Sequence, residues 1–240
     1  MSRAAREPGL AGAVAGGAAT LLALSSLAFW PLYLSRPAAA VDGYTHLHAV
    51  LGTAWVVMLI AQALLVRAGR IAPHRYLGRA SYIVGPAFAL SGLLLAHYRF
   101  SRMAAATFEQ EAFSLYLPLS VIVLFLAAYA LAMRHRRRYR LHARFMACTA
   151  ILLVDPVAGR VMGFYLPELP AVWQYQAITF GVEFVLAVAL LRSLPLPSQE
   201  RRLFGRFVAV FVVVQSMWFV VPHTARWLSF ATWFRGLSLT

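Results

Sequence analysis

Residues 135–160, HRRRYRLHARFMACTAILLVDPVAGR, decide the class of this protein. A run of arginines leads directly into an apolar segment that also contains an acid and a further arginine. From residue 141 to 163 the chain is apolar for long enough to cross a bilayer, because about 20 residues at about 1.5 Å each cover the roughly 30 Å hydrocarbon core. The stretch therefore predicts a transmembrane helix with polar chemistry inside it.

The composition of the whole chain agrees with this interpretation. Hydrophobic residues make up 61% and charged residues only 12%, with a mean hydropathy of +0.70, whereas charged residues approach a quarter of soluble domains. The net charge of +14 does not indicate nucleic acid, because the arginines lie in short loops between apolar segments, as in membrane proteins. The partner it predicts is the lipid bilayer.

Two residue counts exclude further classes. The chain contains no lysine, so it is not a retinal protein, whose chromophore requires a lysine Schiff base. Cys148 is the sole cysteine, which excludes an intramolecular disulfide and a cysteine-based metal knuckle. The Arg, Ala, Gly and Pro bias is typical of a bacterial gene, and the predicted location is the bacterial cytoplasmic (inner) membrane.

The apolar segments predict an all-α, polytopic transmembrane helix bundle that forms a single domain over residues 1–240. Arginine-rich loops alternate with arginine-poor ones, which by the positive-inside rule places the N-terminus in the cytoplasm and the C-terminus outside. The first segment also resembles a signal peptide, but it exceeds the roughly 7–15 apolar residues of a signal sequence. The seven predicted spans are 10–34, 46–66, 77–98, 113–133, 141–163, 171–191 and 207–222, followed by an interfacial tail over 223–240.

His74 and His142 are the first candidates for cofactor binding. Each is predicted in the first turn of a span that starts at the cytoplasmic face, and the positive end of a helix dipole favours the neutral imidazole that ligates a metal or haem iron. Arg75 and Arg144 follow closely and are suited to pair haem propionates or an anionic headgroup. Alternatively, each histidine is a polar anchor at the headgroup level.

A second, outer metal site is predicted from His46, His48 and His97. The loop between spans 2 and 3 is short, so these spans are expected to be adjacent. Paired histidines at two depths would suit a b-type dihaem electron carrier. However, His46 and His48 cannot face the same way in a helix, and the roughly 35 Å between His74 and His97 puts both near the surfaces.

Asp155 and Glu183 are the acids predicted well inside spans, and an intramembrane carboxylate is costly enough to indicate function. We assign them a catalytic or ion-handling role together with Arg160, the nearest cation by sequence. Glu183→Gln is expected to be nearly silent for folding, and Asp155→Asn to loosen the hold on Arg160. The alternative is a structural polar network. The glutamines that would complete the polar core are Gln62, Gln176 and Gln215.

The segments HRYLGRASYIVGPAFALSG and HARFMACTAILLVDPVAGR resemble bacterial multi-span families of predicted membrane proteins whose function is not established. Those families pair a His-Arg-x-Leu-Gly-Arg helix start with a later His-x-Arg-x-Met start and a following arginine. The resemblance covers roughly residues 45–162 and implies that the two histidines act as a pair. A looser likeness is to b-type cytochromes. The matching residues are His74, Arg75, Leu77, Gly78, Arg79, His142, Arg144, Met146 and Arg160.

These observations favour an integral-membrane redox protein that binds haem b or a transition metal and exchanges electrons with quinone or a redox partner. A proton-coupled transporter is the alternative, because Gly85-Pro86 and Asp155-Pro156 would let helices break around a midplane site. A non-catalytic accessory subunit, with a membrane complex as partner, is a third class. A P-loop and a dinucleotide-binding glycine pattern are absent from the sequence, and whether the protein is an enzyme stays open.

Overall fold

The computed structural model describes residues 8–166, 172–193 and 196–240, and these residues form helices and connecting turns without a β-strand. The predicted all-α class is confirmed: seven helical stretches are long and apolar enough to cross a membrane, as in a multi-pass membrane protein. These stretches are Gly9–Leu34, Gly43–Arg67, Ser81–Ser101, Ala105–Arg134, Tyr139–Tyr165, Val172–Arg192 and Ser198–His223. Ala171, the predicted start of the sixth span, lies outside the described residues.

Over these three ranges the chain runs up and down through eleven α-helices and short 3₁₀ or π segments. The first half comprises α1 (Pro8–Phe29), a π-helical turn (Trp30–Leu34), α2 (Gly43–Arg67), α3 (Ile71–Gly78), α4 (Ser81–Ser101), α5 (Ala105–Glu111) and α6 (Tyr116–Arg134). The second half comprises α7 (Tyr139–Ile151), α8 (Val154–Tyr165), α9 (Val172–Arg192), α10 (Ser198–Ser216) and α11 (Ala225–Arg235).

Three predicted span starts differ by more than a turn of helix from the structure. The predicted fourth span begins at residue 113, but its stretch starts at Ala105 with the short helix α5. The predicted third span begins at residue 77, but Leu77 belongs to the short helix α3, and α4 starts only at Ser81. The predicted seventh span begins at residue 207, but α10 starts at Ser198. Apolar side chains recur at helical spacing through its arginine-rich start, so one helix continues across the change in composition. The buried ones are Phe204, Phe207, Val208 and Phe211.

The predicted fifth span is interrupted. Helix α7 ends at Ile151 and α8 begins at Val154, with Leu152 and Leu153 in a turn between them. Pro156 has no N–H group, and its ring collides with the carbonyl four residues earlier, which here belongs to Leu152. The Asp155-Pro156 pair therefore does break the helix, as the sequence indicated, and it creates a second helix start within the span.

Glycines allow close contact between α2 and α4. A Cβ added at Gly52 would lie 3.0 Å from the Phe88 ring, and one added at Gly85 would lie 3.1 Å from the Trp55 ring. These glycines let an aromatic ring of one helix approach the backbone of the other. His48, Gly52, Trp55 and Gln62 thus share the face of α2 that contacts α4 and α3. The pairs are His48 with Gly92, Gly52 with Phe88, Trp55 with Gly85, and Gln62 with Gly78.

The arginine-rich loops meet at one end of the bundle, which we name the basic end. Arg136 Nη1 donates to the Tyr82 hydroxyl at 3.1 Å and so links the α6–α7 loop to the start of α4. Arg138 pairs with Glu200 on α10 at 3.8 Å. The basic end therefore contains the connections α2–α4, α6–α7 and α9–α10, and the site candidates can be divided between it and the opposite end.

At the opposite end the predicted tail forms α11, which packs against the bundle through Ala231 and Phe234. Asp42 precedes α2 there and caps it by accepting from the backbone N–H of Thr45 at 2.8 Å. Burial alone would raise the pKa of Asp42, but the hydrogen bonds from Thr45 and the nearby Arg99 outweigh it and lower the pKa. The carboxylate form of this cap is thus the stabilised one.

Candidate functional site

His74 and His142 both lie at the basic end. Each is the fourth residue of its helix, His74 in α3 and His142 in α7, and both helices start at this end. From the sequence, both histidines are predicted in the first turn of a span. His74 instead occupies a separate short helix, α3, which precedes its span and is folded against α2.

The hydrogen bonds of the two rings define their available nitrogens. Nδ1 of His142 lies 2.9 Å from the carbonyl oxygen of Ala132. A carbonyl only accepts, so Nδ1 carries the proton and Nε2 keeps the lone pair. Nδ1 of His74 is buried and has no hydrogen-bond partner. Burial lowers the pKa of His74, the Gln62 carbonyl opposes that shift, and Arg75 adds to it. A neutral His74 is therefore favoured.

Gln62 belongs to this end of the molecule and not to the intramembrane acids with which the sequence grouped it. Its side-chain nitrogen lies 3.3 Å from the position of a Cβ on Gly78, one turn after His74 in α3. Its Oε1 atom is buried without a hydrogen-bond donor. The basic end thus contains three side-chain atoms without a hydrogen-bond partner: Nδ1 of His74, Nε2 of His142 and Oε1 of Gln62.

The two arginines predicted beside this pair have different surroundings. Arg75 is exposed, whereas Arg144 is completely buried and donates to backbone carbonyls at the end of α9. Its Nε atom donates to Leu190 O at 2.9 Å, its Nη1 atom to Arg140 O at 3.1 Å, and its Nη2 atom to Ser193 O. Its guanidinium therefore caps α9 and holds α7 against it.

His135 lies in the loop just before α7 and stacks 6.4 Å from the Phe145 ring. Burial lowers its pKa, and Arg138 and Arg134 lower it further, while Glu200 opposes them. It is partly exposed, and its ring contact is with Phe145 and not with His74 or His142. This placement makes it a matched control for the histidine pair.

The predicted outer metal site does not assemble. His46 contacts the Tyr33 hydroxyl through Nδ1 at 3.0 Å and the Ala38 carbonyl through Nε2 at 2.9 Å. His48 bonds Ser91 at 3.0 Å, and the buried His97 bonds Thr240 at 2.8 Å. The rings project from different faces toward different elements. Within the described part of the chain, no three His, Cys, Asp or Glu side chains form a group able to hold a metal ion.

Asp155 and Glu183 join one buried network inside the bundle. Asp155 Oδ1 accepts from Thr179 Oγ1 at 2.7 Å and from Gln176 Nε2 at 2.5 Å. The backbone N–H of Asp155 donates to Glu183 Oε1 at 3.2 Å. That donor is available because Asp155 is the second residue of α8, where helix N–H groups lack intrahelical acceptors. The break before Pro156 thus creates the link between the two acids.

The network continues from Glu183 to α10 and α6. Gln215 Nε2 donates to Glu183 Oε2 at 2.8 Å, and Ser120 Oγ donates to Gln215 Oε1 at 3.5 Å. Gln176 and Gln215 were predicted as members of a polar core, but Ser120 and Thr179 were not. The sequence does contain a signal for Thr179. It lies three residues after Gln176 and four before Glu183, and therefore on the same helix face.

Arg160 does not form an ion pair with Asp155. Its Nη1 atom donates to the carbonyl of Pro156 at 2.6 Å, and its guanidinium lies 4.9 Å from the centre of the Phe29 ring. In the described residues the ion pair between side chains is Arg138–Glu200. Five residues of helix turn Arg160 by about 140° from Asp155, so it faces α1 while the acid faces α9.

Comparison with protein-family models, curated proteins and solved structures finds no match to this chain. The geometry of the site is accordingly the basis for a functional assignment.

Proposed function

We propose that this protein is an integral-membrane redox protein of the bacterial inner membrane that binds haem b, or a transition metal, through His74 and His142. The observation that carries the proposal is the placement of two imidazoles from separate helices at one end of the bundle, each with a ring nitrogen that has no hydrogen-bond partner in the protein. Haem needs only two axial ligands from the protein, so a pair suffices where a larger cluster is absent among the described residues. Its iron would accept and release one electron.

The residues around the pair would prepare it for ligation. The Ala132 carbonyl fixes the orientation and tautomer of His142, as backbone carbonyls do for ligating histidines. Burial favours the neutral, ligating form of His74. Arg75 is exposed beside His74 and is free to pair an acidic group of a cofactor. Arg144 would act indirectly, by holding α7 against α9.

The pairing predicts a specific mutational pattern. His74→Ala and His142→Ala are each expected to abolish the same cofactor signal, and His135→Ala is expected to keep it, because His135 contacts neither ring. The measurements are the absorption spectrum and the metal content of protein purified from cells supplied with iron and haem precursors. A wild-type protein that carries neither haem nor metal, or a single variant that keeps the full signal, would refute the proposal.

Gln62 distinguishes the two kinds of centre. A haem with two axial imidazoles does not require a third protein ligand, so Gln62→Leu should retain the Soret band. A transition metal bound by two histidines would use the unpaired Oε1 as a further ligand, so the same variant should lose most of its metal. Gln62→Glu, which keeps an oxygen there, should restore metal content in the second case only.

A proton-coupled carrier is the second candidate, and the interrupted helix favours it. Transporters use discontinuous helices whose ends point at a site inside the bundle, and the start of α8 points its Asp155 N–H at Glu183. In proteoliposomes with an internal pH dye, a transported compound should then move protons with wild type and not with Glu183→Gln. His74→Ala should leave that transport unchanged. Transport abolished equally by His74→Ala would count against a separate carrier site.

We also propose that the chain belongs with the bacterial multi-span families that its two helix starts resemble. The parallel position of His74 and His142 as fourth residues of α3 and α7 supports a related role for the two motifs.

A further inference from the structure

A groove opens at the basic end between the last turn of α9 and the first turns of α10. It forms an open cavity of about 470 Å³ whose apolar lining is Leu191, Leu196 and Gly205 and whose polar lining is Ser198, Arg201 and Arg202. A neighbouring cavity of about 390 Å³ shares Arg202 and is also lined by Arg206. Three guanidinium groups from two turns of one helix therefore border one concave surface with an apolar floor.

The positive charge of this groove is not neutralised by the protein. Arg201, Arg202 and Arg206 are exposed, and they form no hydrogen bond or ion pair with the described residues. Neither cavity is lined by a carboxylate from the described part of the chain. Glu200 precedes these arginines directly, but its carboxylate is paired with Arg138 and its side chain is only 14% exposed. The groove thus presents unpaired donors to an anion.

The location of the groove identifies the kind of anion. It lies where the stretch Ser198–His223 enters the membrane, which is the level of lipid headgroups. Basic loop residues attract anionic lipid in general, but those on open loops have no apolar surface beneath them. Here the arginines border a cavity that continues onto Leu191 and Leu196. Guanidinium is suited to phosphate because its planar fork donates two parallel hydrogen bonds.

We propose that this groove is a binding site for an anionic phospholipid, with its phosphate held by Arg201 and Arg202 and its first acyl carbons against the apolar floor. The inference is independent of the histidine pair. It resembles basic pockets between transmembrane helices that bind lipid headgroups on the cytoplasmic side.

The test is phosphatidylglycerol binding to the purified full chain, measured by native mass spectrometry against phosphatidylcholine. Each arginine near a membrane surface contributes about 1 kcal/mol, which is roughly fivefold in affinity. Arg201→Gln with Arg202→Gln is therefore expected to weaken phosphatidylglycerol binding about 25-fold. The control is Arg136→Gln with Arg137→Gln, which removes the same charge from a loop at the same end and should weaken binding less than threefold.

Gly205→Leu separates shape from charge. A Cβ at this position would lie 4.0 Å from Leu191 Cδ1, an ordinary contact, so the helix tolerates a side chain there. The remainder of the leucine would fill the cavity while every arginine remains. Phosphatidylglycerol binding should fall at least tenfold, and thermal stability without lipid should stay unchanged.

Three results would overturn the proposal. Equal losses in the groove and loop double variants would mean a diffuse attraction to anionic lipid. Unchanged binding by folded Gly205→Leu would show that the cavity is not the site. Full displacement of phosphatidylglycerol by millimolar inorganic phosphate would indicate a soluble phosphate ligand. If Gly205→Leu fails to fold, the two double variants still decide between a site and a diffuse attraction.

Discussion

Replacing Arg144 by methionine is expected to lower the free energy of unfolding by about 3–5 kcal/mol. The guanidinium donates to carbonyls of Leu190, Ser193 and Arg140. Hydrogen bonds to a charged group contribute about 1.5–3 kcal/mol each, so three sum to about 4.5–9 kcal/mol. Methionine also removes the cost of burying the charge, which is several kcal/mol. The net loss is accordingly near the lower end of that sum.

Cys148 provides the assay. It is the sole cysteine, lies one turn after Arg144 in α7 and is 2% exposed, so a maleimide dye reaches it only when the bundle opens. A loss of about 3–5 kcal/mol corresponds to a roughly 100- to 4,000-fold faster alkylation when the bundle opens and closes fast relative to the reaction with the dye. Arg144→Lys keeps the charge without the planar fork and should give about half that loss in free energy.

The matched control is Arg137→Gln, which removes an exposed arginine from the loop before α7 and should leave the alkylation rate within twofold. If Arg144→Met is alkylated as slowly as wild type but loses a bound cofactor, the capping argument is wrong. Arg144 would then be the cofactor-binding residue that its place in the sequence indicated.

Three further predictions concern other parts of the molecule. Asp42→Ala should cost about 1 kcal/mol in a chemical unfolding titration and Asp42→Asn little, because asparagine also caps α2. With its pKa lowered in the folded state, the charge-dependent part of that cap is present above about pH 4 and is lost as the pH falls further. Glu183→Gln should lower thermal stability more than Asp155→Asn. Both oxygens of Glu183 accept from N–H donors, and an amide replaces one of them, whereas only one oxygen of Asp155 accepts and asparagine can keep an oxygen there. Equal losses for the two variants would contradict this. Reporter fusions should place the basic end in the cytoplasm. Suitable positions are Arg70, Arg137 and Arg201 for the basic end and Glu109 for the opposite end. One fusion that reports the other side would reject this orientation.

The order expected for the two amide variants shows what a sequence leaves out. From sequence position alone, Glu183 was expected to have fewer partners than Asp155, and Glu183→Gln was expected to have almost no effect on folding. The contacts reverse that expectation, because the N–H group of Asp155 and the side chain of Gln215 both donate to Glu183. The first of these donors is a backbone group released by the helix break, and no side-chain pattern encodes it.

The number and type of spans were predictable because length and hydropathy alone determine whether a segment can cross a bilayer. The ends of the spans were less predictable, because α10 begins among arginines that a hydropathy criterion excludes from a span. For the candidate site, the sequence predicted His74 and His142, and their placement on helices that start at the same end was within reach of the loop pattern. The role of Arg144 was not, because two of its acceptors are backbone carbonyls at the end of α9, nearly fifty residues later.

The network around Asp155 and Glu183 also bears on how the protein is made. Its members come from α6, α8, α9 and α10, so Asp155 leaves the ribosome about 60 residues before Gln215 completes the set. At roughly 5–20 residues per second, the network is completed about 3–12 s after Asp155 is made, when Gln215 arrives as the partner of Glu183. Chains that end before α10 would keep Glu183 without the Gln215 amide, in hydrocarbon where an unpaired polar group is costly. We expect such chains to be retained by the insertion machinery or degraded, and the network would then act as a checkpoint for the completion of synthesis.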